Sequence, residues 1–290
     1  MVTALSALAA SSSAFGAPKT VPAGAVAFRD EVLAILRSDF PASTATLRDD
    51  PEEIVLGRFT LFLGNLRQKT SGLSGAERRA VILDYLRPLA TAKPLPSQPQ
   101  PAESFAQASK RLRIQLVPNE YQQQAPELTC RRFSNRLLVT YVLDEPNRYQ
   151  LVMRPLFESW GVDQETVERI ARRNLELAAG GLEVHISPTN KSGHFATLAD
   201  ESGYAAASLL LPMVMDQIRE GLGTQSIIAA VPTRDILIAW SSDSELKAHL
   251  AGVVESYMNK GPYSRSPELF AYSTDGVRPL NSLELAEHGR

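Results

Sequence analysis

The sequence predicts an α+β protein: an N-terminal helix-hairpin-helix unit, then a larger mixed α/β domain with a mostly antiparallel sheet. Three observations carry this. Phe28, Val32, Ile35, Leu36 and Phe40 form an apolar stripe at helical spacing that stops at Pro41. Arg111-Leu112-Arg113-Ile114-Gln115-Leu116 alternates with a period of two, which places Leu112, Ile114 and Leu116 on one face of a strand. Turn chemistry at Asp49-Asp50-Pro51, Asp144-Glu145-Pro146-Asn147 and Pro232-Thr233-Arg234-Asp235 joins apolar runs into hairpins.

Along the chain, residues 1–26 read as a flexible Ala/Ser-rich leader and 27–92 as the first α+β unit. After the first helix come strands at 44–48 and 53–57. The run FTLFLGNL, 59–66, can end a strand or begin a helix. Ser74 and Glu77 have capping-box spacing and open a helix with Ile82, Tyr85, Leu86 and Leu89 on its apolar side. Residues 93–108 read as a linker, because KPLPSQPQP holds four prolines in nine residues and can carry neither a ladder nor a helix. The larger domain, 109–290, adds a strongly apolar central strand at 137–143, a hairpin partner at 149–153 and a helix capped by Asp163. A strand pair follows around the polar loop 187–193. Residues 204–221 form a helix that Pro212 kinks or breaks near Leu209. AAVPTRDILIAW, 229–240, is a tight hairpin in which Pro232 presets a turn dihedral. A helix capped by Ser244 and an edge strand at 269–272 close the chain.

Composition removes several classes of function. Lys+Arg at 30 against Asp+Glu at 32 gives a net charge of −2, too balanced to announce a nucleic acid or an anionic membrane. No apolar run reaches the ~18–20 residues a bilayer requires. Cys130 is the only cysteine, so an intrachain disulfide and a two-thiolate zinc site are both impossible, and a reducing compartment fits. Secretion is the lesser reading of the leader, since no Lys or Arg precedes its apolar stretch. The Asn190-Lys191-Ser192 sequon has meaning only if the chain is secreted.

Within the larger domain, VLDEPNRYQLVM, SWGVDQETVERIARRNLE, DESGYAAASLLLP and AAVPTRDILIAW stand in an order that resembles the YtpQ-like bacterial proteins, the domain-of-unknown-function 1444 family. Asp144, Trp160, Asn174 with Leu175, Gly203 with Tyr204, and Pro232 with Asp235 hold the marker places. The resemblance covers roughly residues 137–280. It implies a cytosolic bacterial α+β protein and no particular reaction.

Candidate chemistry is sparse. His185 and His194 bracket a loop and can face each other, but no HExxH or HxH spacing exists, so no metal and no cofactor are expected. Asp200, Glu201 and Asp235 sit near element ends, where general acids and bases are found but where caps and turn bonds are commoner. Lys110, Arg111 and Arg113 with Arg131, Arg132 and Arg136 make a mild basic concentration that can form an anion-binding face if the strands pair. The leading expectation is a non-catalytic, cytoplasmic protein that binds another protein through a sheet edge or beside the 204–221 helix, with Arg234, Asp235, Tyr204 and Trp240 as binding residues. The alternative is a hydrolase that uses Asp200 and Asp235 with His194.

Overall fold

The computed structural model describes residues 24–57, 59–91, 103–145, 148–187, 194–200 and 202–290. The leader to residue 23, the proline-rich stretch, the 146–147 turn, most of the 187–193 loop with its sequon, and Glu201 lie outside the described residues. Secondary structure is α+β with antiparallel sheets, and the chain divides into two compact units, Met1–Ala92 and Lys93–Arg290.

In the first unit, α1 (Ala25–Asp39) takes in the last two residues of the expected leader. Its first residue, Ala25, is already buried with Phe28, Val32 and Leu36. Strands β1 (Ala45–Leu47), β2 (Glu53–Leu56) and β3 (Phe59–Phe62) pair in sequence order. FTLFLGNL does both things its composition allows, ending β3 at Phe62 and opening α2 (Leu63–Lys69) in the next residue. Leu63 N–H bonds the Glu52 carbonyl (2.7 Å) and Arg67 pairs with the Glu52 carboxylate (2.8 Å), which pins that switch. The unit therefore carries a third strand and an extra helix beyond the helix-hairpin-helix pattern. Its last helix, α3 (Gly75–Ala90), starts at the expected capping box, with Glu77 accepting from Ser74 N–H (3.1 Å) and Oγ (2.7 Å). Ile82 and Leu86 face Ile54 and Leu36 in one core.

The second unit opens with a helical turn, α4 (Phe105–Ala108), inside the segment read as linker. Ala108 is fully buried, and Trp160 Nε1 bonds the Glu103 carbonyl (2.9 Å). Asn174 Nδ2 bonds those of Ser109 (2.7 Å) and Leu112 (2.8 Å), so these two markers clamp the start of the unit. Next come β4 (Leu112–Pro118), α5 (Glu120–Gln124), β5 (Cys130–Arg132), β6 (Leu137–Glu145), β7 (Arg148–Leu151), α6 (Arg154–Ser159) and α7 (Gln164–Ala179). Strand β6 is central, with β4 on one side and β5 and β7 on the other. Leu112, Ile114 and Leu116 are buried as expected, but Gln115 on the opposite face is fully buried too. Its amide is satisfied, donating to the Gly203 carbonyl (2.8 Å) and accepting from Leu116 N–H (3.0 Å).

The remaining elements are β8 (His185–Ser187), β9 (Phe195–Ala199), a 3₁₀ turn (Ala206–Leu210), α8 (Pro212–Gly221), β10 (Ile227–Thr233), β11 (Ile236–Ser241), α9 (Lys247–Lys260), β12 (Leu269–Ser273), β13 (Gly276–Pro279) and α10 (Ser282–Glu287). The expected 204–221 helix is two pieces. Pro212 has no N–H to give and its ring clashes with the carbonyl four residues back, so it starts α8 and leaves the preceding turn 3₁₀. The sheet order is β13-β12-β10-β11-β9-β8, antiparallel throughout. Strand β12, read as an edge, is internal, because the Thr274-Asp275 turn, followed by Gly276, sends β13 back along it. Gly276 supplies the φ of 97° that this turn requires. One face of β10–β12 joins β4, β6, α7 and the 3₁₀ turn in the main core, while α9 covers the other. This double cover explains the full burial of IIAAVPT. Pro232 lies in β10, where the register shifts between Ala230 and Thr233, and the turn itself is Arg234-Asp235.

Candidate functional site

Asp200 and Asp235 meet through backbone, since Asp200 N–H bonds the Asp235 carbonyl (3.0 Å). Their carboxylates are committed elsewhere. Asp200 accepts from Ser202 N–H (2.8 Å), Ser202 Oγ (2.6 Å) and Tyr204 N–H (3.0 Å), a cap on the chain before the 3₁₀ turn. Asp235 accepts from Arg234 Nε at 2.6 Å. His194 is exposed just before β9, and Asp200 follows that strand. The six steps from 194 to 200, through the extended β9, put them about 20 Å apart at ~3.3 Å each. The structure does not bring His194 to the aspartates, so the nucleophile-activating geometry of a hydrolase is not assembled. His185 stands opposite Thr197 and not opposite His194. Among the described residues, no group of three His, Cys, Asp or Glu side chains is placed to hold a metal ion.

What does assemble at this end of the sheet is a tyrosine–arginine cluster. The buried Tyr204 hydroxyl donates to Asp144 Oδ1 (2.8 Å), and Asp144 Oδ2 pairs with Arg113 (3.0 Å). The Arg113 guanidinium lies over the Tyr204 ring at 4.9 Å, and the Tyr149 ring stands 6.5 Å from it. Burial, reinforced by the Asp144 acceptor, pushes the Tyr204 phenol far above its usual range. The Arg234 guanidinium stacks 3.8 Å over the Tyr263 ring, and its backbone N–H bonds the Tyr263 carbonyl (2.9 Å). Burial opposes the charge on Arg234, but the Asp235 carboxylate outweighs it and holds the guanidinium more firmly protonated than usual. The resemblance markers Asp144, Gly203, Tyr204 and Asp235, scattered over ninety residues of sequence, thus converge. Gly203 is needed there. At φ 89°, a Cβ would stand 2.7 Å from Arg234 Nε. Gly203→Ala is expected to cost about 2–3 kcal/mol in urea unfolding; a loss below about 0.5 kcal/mol would show that Arg234 yields freely.

Trp240, expected to bind, is a core residue. It is 0% exposed, packed beneath α9 with its ring 6.2 Å from that of His288. Strand β11 is covered on both faces, so its aromatic residue points into protein and cannot meet a ligand.

The basic concentration is only partly paired: Arg132 and Arg136 are exposed, while three of its other members hold carboxylates. Arg111 pairs with Glu103 (2.8 Å), Arg113 with Asp144, and Arg131 with Glu168 (2.6 Å). The last pair marks a place the sequence reading missed, an open groove of about 1030 Å³ along α7. Asp163 caps this helix by accepting from Thr166 N–H (2.7 Å). Glu168 receives Arg131 Nε (2.8 Å) and Nη2 (2.6 Å), Arg172 Nη2 (3.1 Å) and the Tyr141 hydroxyl (3.2 Å). The Arg131 hydrogen bonds lead in pulling the Glu168 carboxyl down to about 2, with Arg172 adding to them. Burial pushes Tyr141 up to about 12. Arg169 and Arg173 line the same groove, are exposed, and carry no ion pair with a described residue. Arg169 and Arg173 share a helix face four residues apart, a signal visible in the sequence; the partnership of Arg131 with Glu168 was not.

Fold and sites together define a two-unit α+β protein that, among the described residues, ties Asp200, Asp235 and Glu168 into caps and ion pairs and carries a charged groove along α7. Over 144 residues the chain is 25% identical to the UPF0354 protein of Geobacillus sp. (strain WCH70), an alignment that takes in 49% of this chain and 52% of that protein. The chain thus spans about half the length of the curated relative it matches. No family model matches the chain, and no solved structure matches it. No described helix is long and apolar enough to cross a membrane.

Proposed function

We propose that this chain is a non-catalytic, YtpQ-like protein-binding module of the bacterial cytoplasm, and that its partner docks in the groove along α7. The observation that carries the reading is the contrast between the groove's floor and its rim. The Arg131–Glu168–Arg172 network is paired, whereas Arg169 and Arg173, on a rim that also holds Glu165 and Glu176, carry no ion pair with a described residue. Such unpaired arginines over a preorganised base suit an acidic segment of another protein. The committed state of Asp200 and Asp235 supports the non-catalytic part, and the single cysteine supports the compartment. The four ordered markers support the family, with 109–290 as the domain that carries them.

The test is co-purification from the native host with the full chain, with the double reversal Arg169→Glu/Arg173→Glu, and with Arg37→Glu as an exposed control in the first unit. A chain recovered with the wild type and the control, and at least about tenfold less with the double variant, is the expected result; that loss corresponds to about 1.4 kcal/mol of binding. Equal recovery with all three proteins, or no partner above background, would overturn the proposal.

A further inference from the structure

The charged side chains that line the groove along α7 are four arginines and three glutamates, a surplus of one positive charge. Glu168 is taken by Arg131 and Arg172. The other four, Glu165, Arg169, Arg173 and Glu176, have no ion pair with a described residue, and the first three of them are exposed. All four stand on α7, whose rise of ~1.5 Å per residue sets them about 6, 6 and 4.5 Å apart in turn. Their order along the axis is negative, positive, positive, negative. Arg131 and Arg172, with one carboxylate between them, add to the positive middle.

So small a surplus draws in no long polyacidic run, and Glu165 and Glu176 repel such a run at both ends. What the groove distinguishes is the order of charges, not their sum. We infer that its occupant is a helical segment of a partner protein whose docking face reads cation, carboxylate, carboxylate, cation. The inference rests on the reading that a partner docks along α7, and it names that partner's chemistry. A helix is the matching form. It repeats its side chains at the same ~6 Å per four residues, so that all four pairs meet together. A strand steps ~6.7 Å between residues on one face and falls out of register over that length. The open groove, about 1030 Å³, gives such a segment its room. A second copy of α7 is a poor occupant. In parallel it sets like charges together, and antiparallel with its ends matched it brings Glu165 of one copy to Glu176 of the other, and Arg169 to Arg172.

The probes are fluorescent alanine-based helical peptides with four charged residues at intervals of four, four and three. One carries Lys-Glu-Glu-Lys, one Glu-Lys-Lys-Glu and one four glutamates, and a fourth peptide is the chain's own α7 sequence. Each is titrated with the full-length protein at low ionic strength, where exposed charges are least screened, and read by anisotropy. The first two have the same composition, so they differ in order alone. The first is expected to bind at least about tenfold tighter than the second and at least about threefold tighter than the all-glutamate peptide. Glu165→Lys/Glu176→Lys should turn the preference to the all-glutamate peptide, and Arg169→Glu/Arg173→Glu should lose the first peptide. The inference is overturned if the all-glutamate peptide binds the wild type as tightly as the first, or if the glutamate reversal leaves the ranking unchanged. It is equally overturned if no peptide binds, or if the α7 peptide binds best, which would assign the groove to a second copy. Preference for four glutamates, abolished by the arginine reversal, would leave the docking of an acidic partner standing while this refinement falls. Absence of binding together with co-purification indifferent to that reversal would remove both.

Discussion

Replacing Trp240 by alanine is expected to remove about 3–5 kcal/mol of unfolding free energy, a large part of the stability of an ordinary domain. The indole is fully enclosed by Ile228, Ile238, Leu250, Val254 and Leu280, so truncation leaves a cavity that sheet and helix cannot collapse to fill. Its Nε1 has no acceptor among the described residues, so Trp240→Phe gives up no hydrogen bond to them and should stay within about 1.5 kcal/mol of the wild type. Urea midpoints of the two variants measure this directly. A loss below about 1 kcal/mol for the alanine variant would mean that α9 does not pack as described.

The second large effect lies at Glu168 and depends on pH. Its carboxyl ionises near 2 in the folded chain, against an ordinary value of 4.5. The stability it adds is therefore complete above about pH 4.5 and disappears as the pH falls from there toward 2. The gap corresponds to about 3 kcal/mol, reduced to about 2 kcal/mol because the side chain is partly open to solvent. Glu168→Gln should be less stable than the wild type by that amount at pH 7, and the two curves should converge by about pH 2. The difference between the curves is the quantity to measure, because the other carboxylates titrate equally in both proteins. A constant difference across the range would assign the loss to packing and not to the Arg131 and Arg172 pairs.

How much of this was legible depends on the range over which each signal acts. The caps at Ser74 and Asp163 and the Arg234-Asp235 turn are local, and the residues that make them are neighbours in sequence. The break at Pro212 was legible for the same reason. The capping box of Asn281 with Glu284, which opens α10, was equally local and was simply passed over. Burial across distance was not legible. Gln115 reads as a solvent-facing residue until segment 203–211 lies over it, and Trp240 reads as an exposed anchor until α9 covers it. Glu168 and Arg131 are 37 residues apart and pair only because α7 crosses the sheet beside β5. The separation of His194 from Asp200 was hidden for the same reason, since it is the length of β9 that sets it.

The irregular end of β10 has a further consequence, for how the sheet finds its alignment. A strand with one wet face is held in place by its pattern, because sliding by one residue would turn its apolar side chains to solvent. Strand β10 has no wet face, so its pattern offers no such guard. Pro232 supplies the missing key. Having no N–H, it is tolerated only where the β10–β11 ladder is already interrupted, and a slide in either direction would move it opposite a carbonyl that needs a donor. One imino acid thus keeps the most uniform strand of the molecule in a single alignment.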